Sequence, residues 1–225
     1  ELACGTTYYY KVRAYRWSGG ERVFSNFSSI VNATPRLSAP QGVTAKGSSY
    51  NTVKISWNKV KGAQFYQVYR ATSTNGKYAL LGTYDENTSS SVSRELACGT
   101  TYYYKVRAYR WSGGERVFSN FSSIVNATPR LSTPSNVKAT PQTSSTIKIS
   151  WNKAEGISYY QVYRATSRNG KYALLGTYDS NTSSSISRSL KKNTIYYYKV
   201  RGYRWVNGER IFSSFSTVTS ARTLN

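Results

Sequence analysis

The sequence has no histidine and no methionine, two cysteines, five prolines and nine acidic residues in a chain of 225. Without histidine the usual general base and the commonest metal ligand are missing. Nine carboxylates spread over the chain leave few ways to pair two of them for acid–base work. Enzymatic function is disfavoured on these absences alone, and no cofactor is expected. No apolar run approaches the roughly 18 residues that a membrane helix needs, so membrane insertion is not expected. The missing methionine suggests a mature or excised piece of a longer protein, with any signal peptide or anchor outside it.

The two cysteines are one position seen twice. Cys4 and Cys98 sit in the same string, ELACGTTYYYKVRAYRW. A disulfide scaffold would place an even number inside each unit, so two lone thiols suggest a fold held by its core. Position 192, the next equivalent, is a lysine.

The repeat explains what is abundant. Residues 1–38 are identical to 95–132, and the same offset of 94 aligns 39–131 with 133–225 without a gap. A unit of that size exceeds the roughly 20–50 residues of solenoid repeats and matches a small domain with its own core. The expected organisation is a partial repeat at 1–37, a domain at 38–131 and a domain at 132–225. Within one unit the pattern is all β. Short runs such as Thr52–Trp57, Phe65–Tyr69, Tyr78–Leu81 and Tyr102–Tyr109 are rich in β-branched and aromatic residues, and several alternate with period two. Turn chemistry separates them at Lys61-Gly62, Asn75-Gly76, Asp85-Glu86-Asn87 and Gly113-Gly114. In the leading piece two strands are expected, Tyr8–Trp17 and Val23–Thr34. About seven short strands per unit point to a β-sandwich, and Pro40, Pro134 and Pro129 stiffen the junctions.

These residues resemble the fibronectin type III family. The resemblance rests on Val53-Lys-Ile-Ser-Trp57 as a second strand, Tyr66 and Val68 in the third, and Leu96 followed by Tyr102 before a sixth strand through Tyr104, Val106 and Ala108. Trp151, Tyr160, Val162, Leu190, Tyr196, Tyr198 and Val200 repeat the set. The YRATS and YYYKVR strings are similar to copies in secreted and cell-wall proteins of Gram-positive bacteria. The resemblance implies tandem immunoglobulin-like, seven-stranded sandwiches arranged as beads on a string. It implies a structural core of Trp57, Leu96, Tyr102, Trp151, Leu190 and Tyr196, with the Tyr102 and Tyr196 hydroxyls bonded back to nearby backbone. The family's Arg-Gly-Asp adhesion motif is absent: that loop reads Arg110-Trp-Ser-Gly-Gly-Glu-Arg116.

Alternation along the sixth strand turns Tyr103, Lys105, Arg107 and Tyr109 outward, and along the third turns out Phe65, Gln67 and Tyr69. The next copy repeats this with Tyr159, Tyr163, Tyr197, Lys199, Arg201 and Tyr203. Such an aromatic and cationic face suits stacking on sugars or bases, or pairing with phosphates. The plainer reading is a solvated sheet face of ordinary cross-strand partners. Trp111 and Trp205 end the same strand, either as binding anchors or, as the stiff junctions favour, as plugs between adjacent domains.

Other motifs carry less. Asp85-Glu86-Asn87 offers too few carboxylates for a calcium loop, and its copy reads Asp179-Ser180-Asn181. Asn26, Asn32 and Asn87 begin glycosylation-acceptor triplets that composition alone produces easily.

The 31 Lys and Arg give a formal charge of +22. The surplus is spread along the repeats: 36–129 has 12 basic and 4 acidic residues, and 130–225 has 15 and 3. Three functions compete on these grounds. The first is a non-catalytic spacer or adhesive stalk of a secreted or cell-surface, filament-forming protein. The second is a binding module for an anionic cell-wall polymer or polysaccharide, with nucleic acid less favoured. The third is an accessory region of an extracellular polysaccharide-active enzyme. Expected partners are neighbouring repeats or other copies of the chain, whose strands would complete residues 1–37.

Overall fold

The structure, a computed structural model, describes residues 2–225, and every regular element in it is a strand. The leading piece contributes β1 (Tyr8–Tyr10), β2 (Tyr15–Ser18), β3 (Glu21–Phe24) and β4 (Val31–Ala33). The middle repeat follows with β5 (Thr44–Ser49), β6 (Thr52–Ser56), β7 (Phe65–Ala71), β8 (Ala79–Asp85), β9 (Ser90–Ser93), β10 (Tyr102–Ser112), β11 (Glu115–Phe118) and β12 (Val125–Ala127). The last repeat has β13 (Ser135–Pro141), β14 (Ile147–Asn152), β15 (Tyr159–Ala165), β16 (Ala173–Asp179), β17 (Ser184–Ser187), β18 (Ile195–Val206), β19 (Glu209–Phe212) and β20 (Thr219–Arg222).

The chain divides into two compact units. One holds residues 1–44, 55–91 and 103–125; the other holds 45–54, 92–102 and 126–225. The whole last repeat lies in the second unit and shows the fold most completely.

Its two antiparallel sheets are β13-β14-β17 and β16-β15-β18-β19, with β20 also on β18. Period-two sequence makes the core. Ile147, Ile149 and Trp151 of β14 and Tyr196, Tyr198 and Val200 of β18 are buried, while their neighbours alternate outward. The Trp151 ring lies 5.4 Å from Tyr160 and 6.1 Å from Tyr178. In the same unit, Cys98, Leu131 and Tyr50 join this cluster. Arg204 stacks over the Tyr50 ring at 4.6 Å and donates from Nη1 to the Gly156 carbonyl at 3.3 Å.

The seventh strand is interrupted. Between β19 and β20, Ser213 and Ser216 leave the ladder, and their hydroxyls accept from the Gly202 and Val200 amides at 2.9 and 3.0 Å. The side chains thus satisfy donors that a straight strand would have paired.

The middle repeat has the same order, β5-β6-β9 and β11-β10-β7-β8, with β12 beside β10. Trp57 packs on Tyr66 at 5.5 Å and Tyr84 at 5.9 Å. In all three copies the tyrosine that opens the sixth strand accepts from backbone five residues earlier. Ala3, Ala97 and Lys191 amides reach Tyr8, Tyr102 and Tyr196 hydroxyls at 2.7, 3.0 and 3.0 Å.

The leading piece departs from its two expected strands. It forms four short ones, with β1 on β4 and β2 on β3, and residues 11–14 belong to none. In the identical middle-repeat segment, Lys105–Ala108 pair with β7. Among the described residues no strand pairs with 11–14, although the Val12 and Ala14 amides donate to Ser28 and Ser25 hydroxyls at 3.0 and 2.9 Å.

Candidate functional site

The site follows from one strand and what stands beside it. Along β10 and β18 the outward cations come every second residue, Lys105 with Arg107 and Lys199 with Arg201. A chain with 31 cations and nine acids has few carboxylates to pair with them. Aromatic rings take that place.

In the middle repeat the Lys105 ammonium lies 4.3 Å from the Tyr78 ring and 4.2 Å from Phe121. The Arg107 guanidinium follows at 5.1 Å from Phe121 and 3.8 Å from Phe118. Phe118 packs on Tyr109 at 5.3 Å, and Arg116 covers Tyr109 at 5.4 Å and Trp111 at 5.1 Å. The last repeat copies the sequence of contacts. Lys199 sits 4.3 Å from Tyr172 and 4.1 Å from Phe215, Arg201 sits 3.9 Å from Phe212, and Arg210 sits 5.2 Å from Trp205. Rings and cations alternate in one ladder across the face, and each contact contributes on the order of 1 kcal/mol when partly desolvated.

The arginines are also fixed in the plane of the sheet. Arg107 donates from Nε to Gln67 Oε1 at 2.9 Å and from Nη2 to Tyr69 Oη at 2.7 Å, and Tyr69 donates on to Gln67 at 2.9 Å. Arg201, Gln161 and Tyr163 close the same triangle at 3.0, 2.8 and 3.0 Å. A guanidinium fork suits this arrangement and an ammonium does not. Burial pushes the phenols of Tyr78 and Tyr172 above their usual range.

One placement is corrected. Tyr109 and Tyr203, read from alternation as outward residues, are buried. They do point to the outer side of the sheet, but Phe65 stacks on Tyr109 at 5.0 Å and Tyr159 on Tyr203 at 5.2 Å, while Phe118 and Phe212 close the other side. Trp111 and Trp205 are both about half exposed, at 45% and 52%. The neighbouring Arg204, on the opposite side of the strand, makes the contact with Tyr50. Phe65, Tyr69, Tyr103, Tyr163 and Tyr197 are half-buried, and Tyr159 is exposed at 39%. Trp57, Leu96, Tyr102, Trp151, Leu190 and Tyr196 are all buried.

The phenylalanines that complete the ladder were missed from sequence. Phe118 ends β11 and Phe121 follows it, in the string Phe-Ser-x-Phe-Ser, which recurs at 24–28, 118–122 and 212–216. Its threefold recurrence was the available signal. The phenylalanines face the cations, while the serines take the amides of the sixth strand: Ser119 from Ala108 at 2.9 Å and Ser122 from Val106 at 3.0 Å. Even the leading piece keeps this, with Arg13 3.7 Å from Phe24 and Lys11 4.1 Å from Phe27. No group of three or more metal-ligating side chains occurs among the described residues.

The sheet order, the bonded tyrosine and the core tryptophan now stand together in the last repeat. Residues 132–219 match the Fibronectin type III domain. The fold is that of tandem fibronectin type III sandwiches. The two-domain fibronectin type III segment of chicken tenascin superposes with a TM-score of 0.52 at 16% identity, over 82% of this chain and 99% of that one, a likeness of fold alone. Chitinase A1 of Niallia circulans is 28% identical over 205 residues, which is 85% of this chain and 27% of that protein. The poly(3-hydroxybutyrate) depolymerase of Ralstonia pickettii is 37% identical over 93 residues, 41% of this chain and 17% of the enzyme. The chain thus spans about a quarter or less of these two relatives' length. No helix among the described residues is long and apolar enough to cross a membrane.

Proposed function

We propose that this chain is a non-catalytic spacer or stalk segment of a larger secreted or cell-surface protein, built from fibronectin type III domains. The observation that carries the reading is the closed ladder. Lys105, Arg107, Lys199 and Arg201, the cations best placed to meet a ligand on that face, already lie against rings of their own repeat. A face whose cations and rings are matched internally resists shear between neighbouring strands and offers little to an incoming polymer. Its partners would be neighbouring repeats or further copies of the chain. The leading piece is where such a partner would act, since Tyr10 and Val12 are exposed there while the identical Tyr104 and Val106 are fully buried. Single-molecule stretching of the chain between fixed handles should give two separate unfolding events of similar contour length. A single non-repeating event would overturn the reading.

The similarity to chitinase A1 and to a poly(3-hydroxybutyrate) depolymerase favours a second reading, in which the segment belongs to an enzyme that degrades an extracellular polymer. Deleting the two complete repeats from the parent protein would then lower activity on the solid polymer and spare activity on soluble oligomers. Equal loss on both substrates would count against it.

A further inference from the structure

The outer face of β13-β14-β17 is hollow, and its sequence explains the hollow. Alternation turns Val137, Ala139, Ile147, Ile149 and Trp151 inward. Asn136, Lys138, Lys148, Ser150 and Asn152 therefore stand outside, and Ser184 of β17 lies directly opposite Ser150. Two short serines make a low floor, and the longer lysines and asparagines rise around it. The result is a cleft of about 410 Å³, a size that takes one or two sugar rings.

These six side chains line the cleft together with Trp151 and Ser183. Among the described residues none of them hydrogen-bonds within the fold. Lys138 lies opposite Ser150 and Lys148 opposite Thr140, so the two cations are diagonal neighbours on the same face. No carboxylate lines the cleft. Two cations on one face with no carboxylate between them leave a positive potential that favours an anion.

The middle repeat shows what fills such a hollow. There the equivalent of Asn136 is Gly42, and the Asn58 amide folds against it, so that a Cβ on Gly42 would lie 2.5 Å from Asn58 Nδ2. Both positions have positive φ, +62° at Gly42 and +50° at Asn136, a conformation that glycine and asparagine tolerate best. Asn136 carries a side chain where Gly42 has none, so Asn152 has no such seat and stays out. Thr44 replaces Lys138 in the middle repeat, which removes one of the two cations.

We propose that this cleft of the last repeat binds an acidic saccharide. Lys138 and Lys148 hold its carboxylate, and Asn136, Asn152, Ser150 and Ser184 exchange hydrogen bonds with its hydroxyl groups. A nucleic acid fits less well, because base recognition on such surfaces needs an aromatic platform and the Trp151 ring is turned into the core against Tyr160 and Tyr178. The inference is independent of the spacer reading: the site uses the sheet that the ladder leaves free.

The test is calorimetric titration of the whole chain with trigalacturonate, neutral maltotriose and a short oligothymidylate. Trigalacturonate should bind and maltotriose should not. Lys138→Gln with Lys148→Gln removes the charges, Ser150→Leu fills the floor without changing charge, and Lys77→Gln with Lys171→Gln is a control for general attraction. Each of the first two variants should weaken trigalacturonate about tenfold or more, the lysine pair through lost charge-assisted hydrogen bonds and the leucine by occupying the floor, while the control changes it less than about twofold. Equal weakening by the control, no effect of Ser150→Leu in a folded variant, or tighter binding of oligothymidylate would each overturn the proposal. Should Ser150→Leu fail to fold, the comparison of the two lysine pairs decides.

Discussion

Ile157 occupies the space that a side chain at Gly202 would need: a Cβ built on Gly202 collides with the Ile157 side chain. The middle repeat has alanine at both equivalent positions, 63 and 108, and both are buried. The two repeats therefore fill one volume by different divisions of it. Gly202→Ala should destabilise the last repeat by about 1–3 kcal/mol through overpacking. Adding Ile157→Ala, which installs the middle repeat's pair, should make the double variant more stable than the sum of the two single losses. Additive losses in urea unfolding would refute the coupling.

The interrupted seventh strand makes a separate prediction. Ser216 Oγ is the acceptor for the buried Val200 amide. Ser216→Ala should cost about 1–3 kcal/mol, the price of a buried donor left without a partner. Hydrogen exchange at the Val200 amide should accelerate with it. Unchanged protection there would mean that water replaces the hydroxyl.

Arg201 tests the ladder. Its guanidinium lies 3.9 Å from the Phe212 ring centre and donates to both Gln161 and Tyr163. Arg201→Ala should lower stability by about 2 kcal/mol from the combined contacts. Arg201→Lys should recover less than half, because one ammonium cannot reproduce the fork. Full recovery in thermal or chemical unfolding would reduce the ladder to simple charge.

The pH dependence follows from two kinds of group. Asp85 and Asp179 are held below the usual carboxylate range, first by the hydroxyls of Thr88 and Thr182 and further by turn amides. Their contribution is present at neutral pH and is lost as pH falls through their lowered values. Burial raises the phenols of Tyr160 and Tyr198. Their contribution is complete below the ordinary tyrosine value of 10.0 and is lost as pH rises beyond it. Unfolding midpoints across pH should fall at both ends, and Thr88→Val with Thr182→Val should flatten only the acid side.

The leading piece permits a comparison that few proteins offer. Lys11–Ala14 and Lys105–Ala108 are the same residues in the same local sequence. The Val12 and Ala14 amides donate to Ser28 and Ser25 as Val106 and Ala108 do to Ser122 and Ser119, so the contrast lies in the alternate residues: the Lys105 and Arg107 amides, which face β7, should exchange slowly, and those of Lys11 and Arg13 near the open-chain rate. Segmental isotope labelling with NMR exchange distinguishes the two. Equal protection would require that a partner covers the leading piece in solution.

Much of this architecture was legible in the residues. The 94-residue offset, the period-two runs and the glycine turns marked sandwich repeats, because strand alternation and turn geometry are local properties of the chain. The cations of the ladder were legible for the same reason. Its phenylalanines were not, since Phe121 approaches Arg107 from a segment outside any strand, where period two carries no information, and Phe118 ends the four-residue β11, which is too short to show a period.

Residues 1–38 and 95–132 mark the division most sharply. By itself their shared sequence determined the bonded tyrosine, the hairpin and the arginine over phenylalanine, which both copies form. It did not determine that Val106 is fully buried while Val12 is 72% exposed. Turns and neighbouring contacts are set within a few residues, whereas burial is conferred by strands that reach a residue from elsewhere in the chain, and only the tertiary structure says which copy has them.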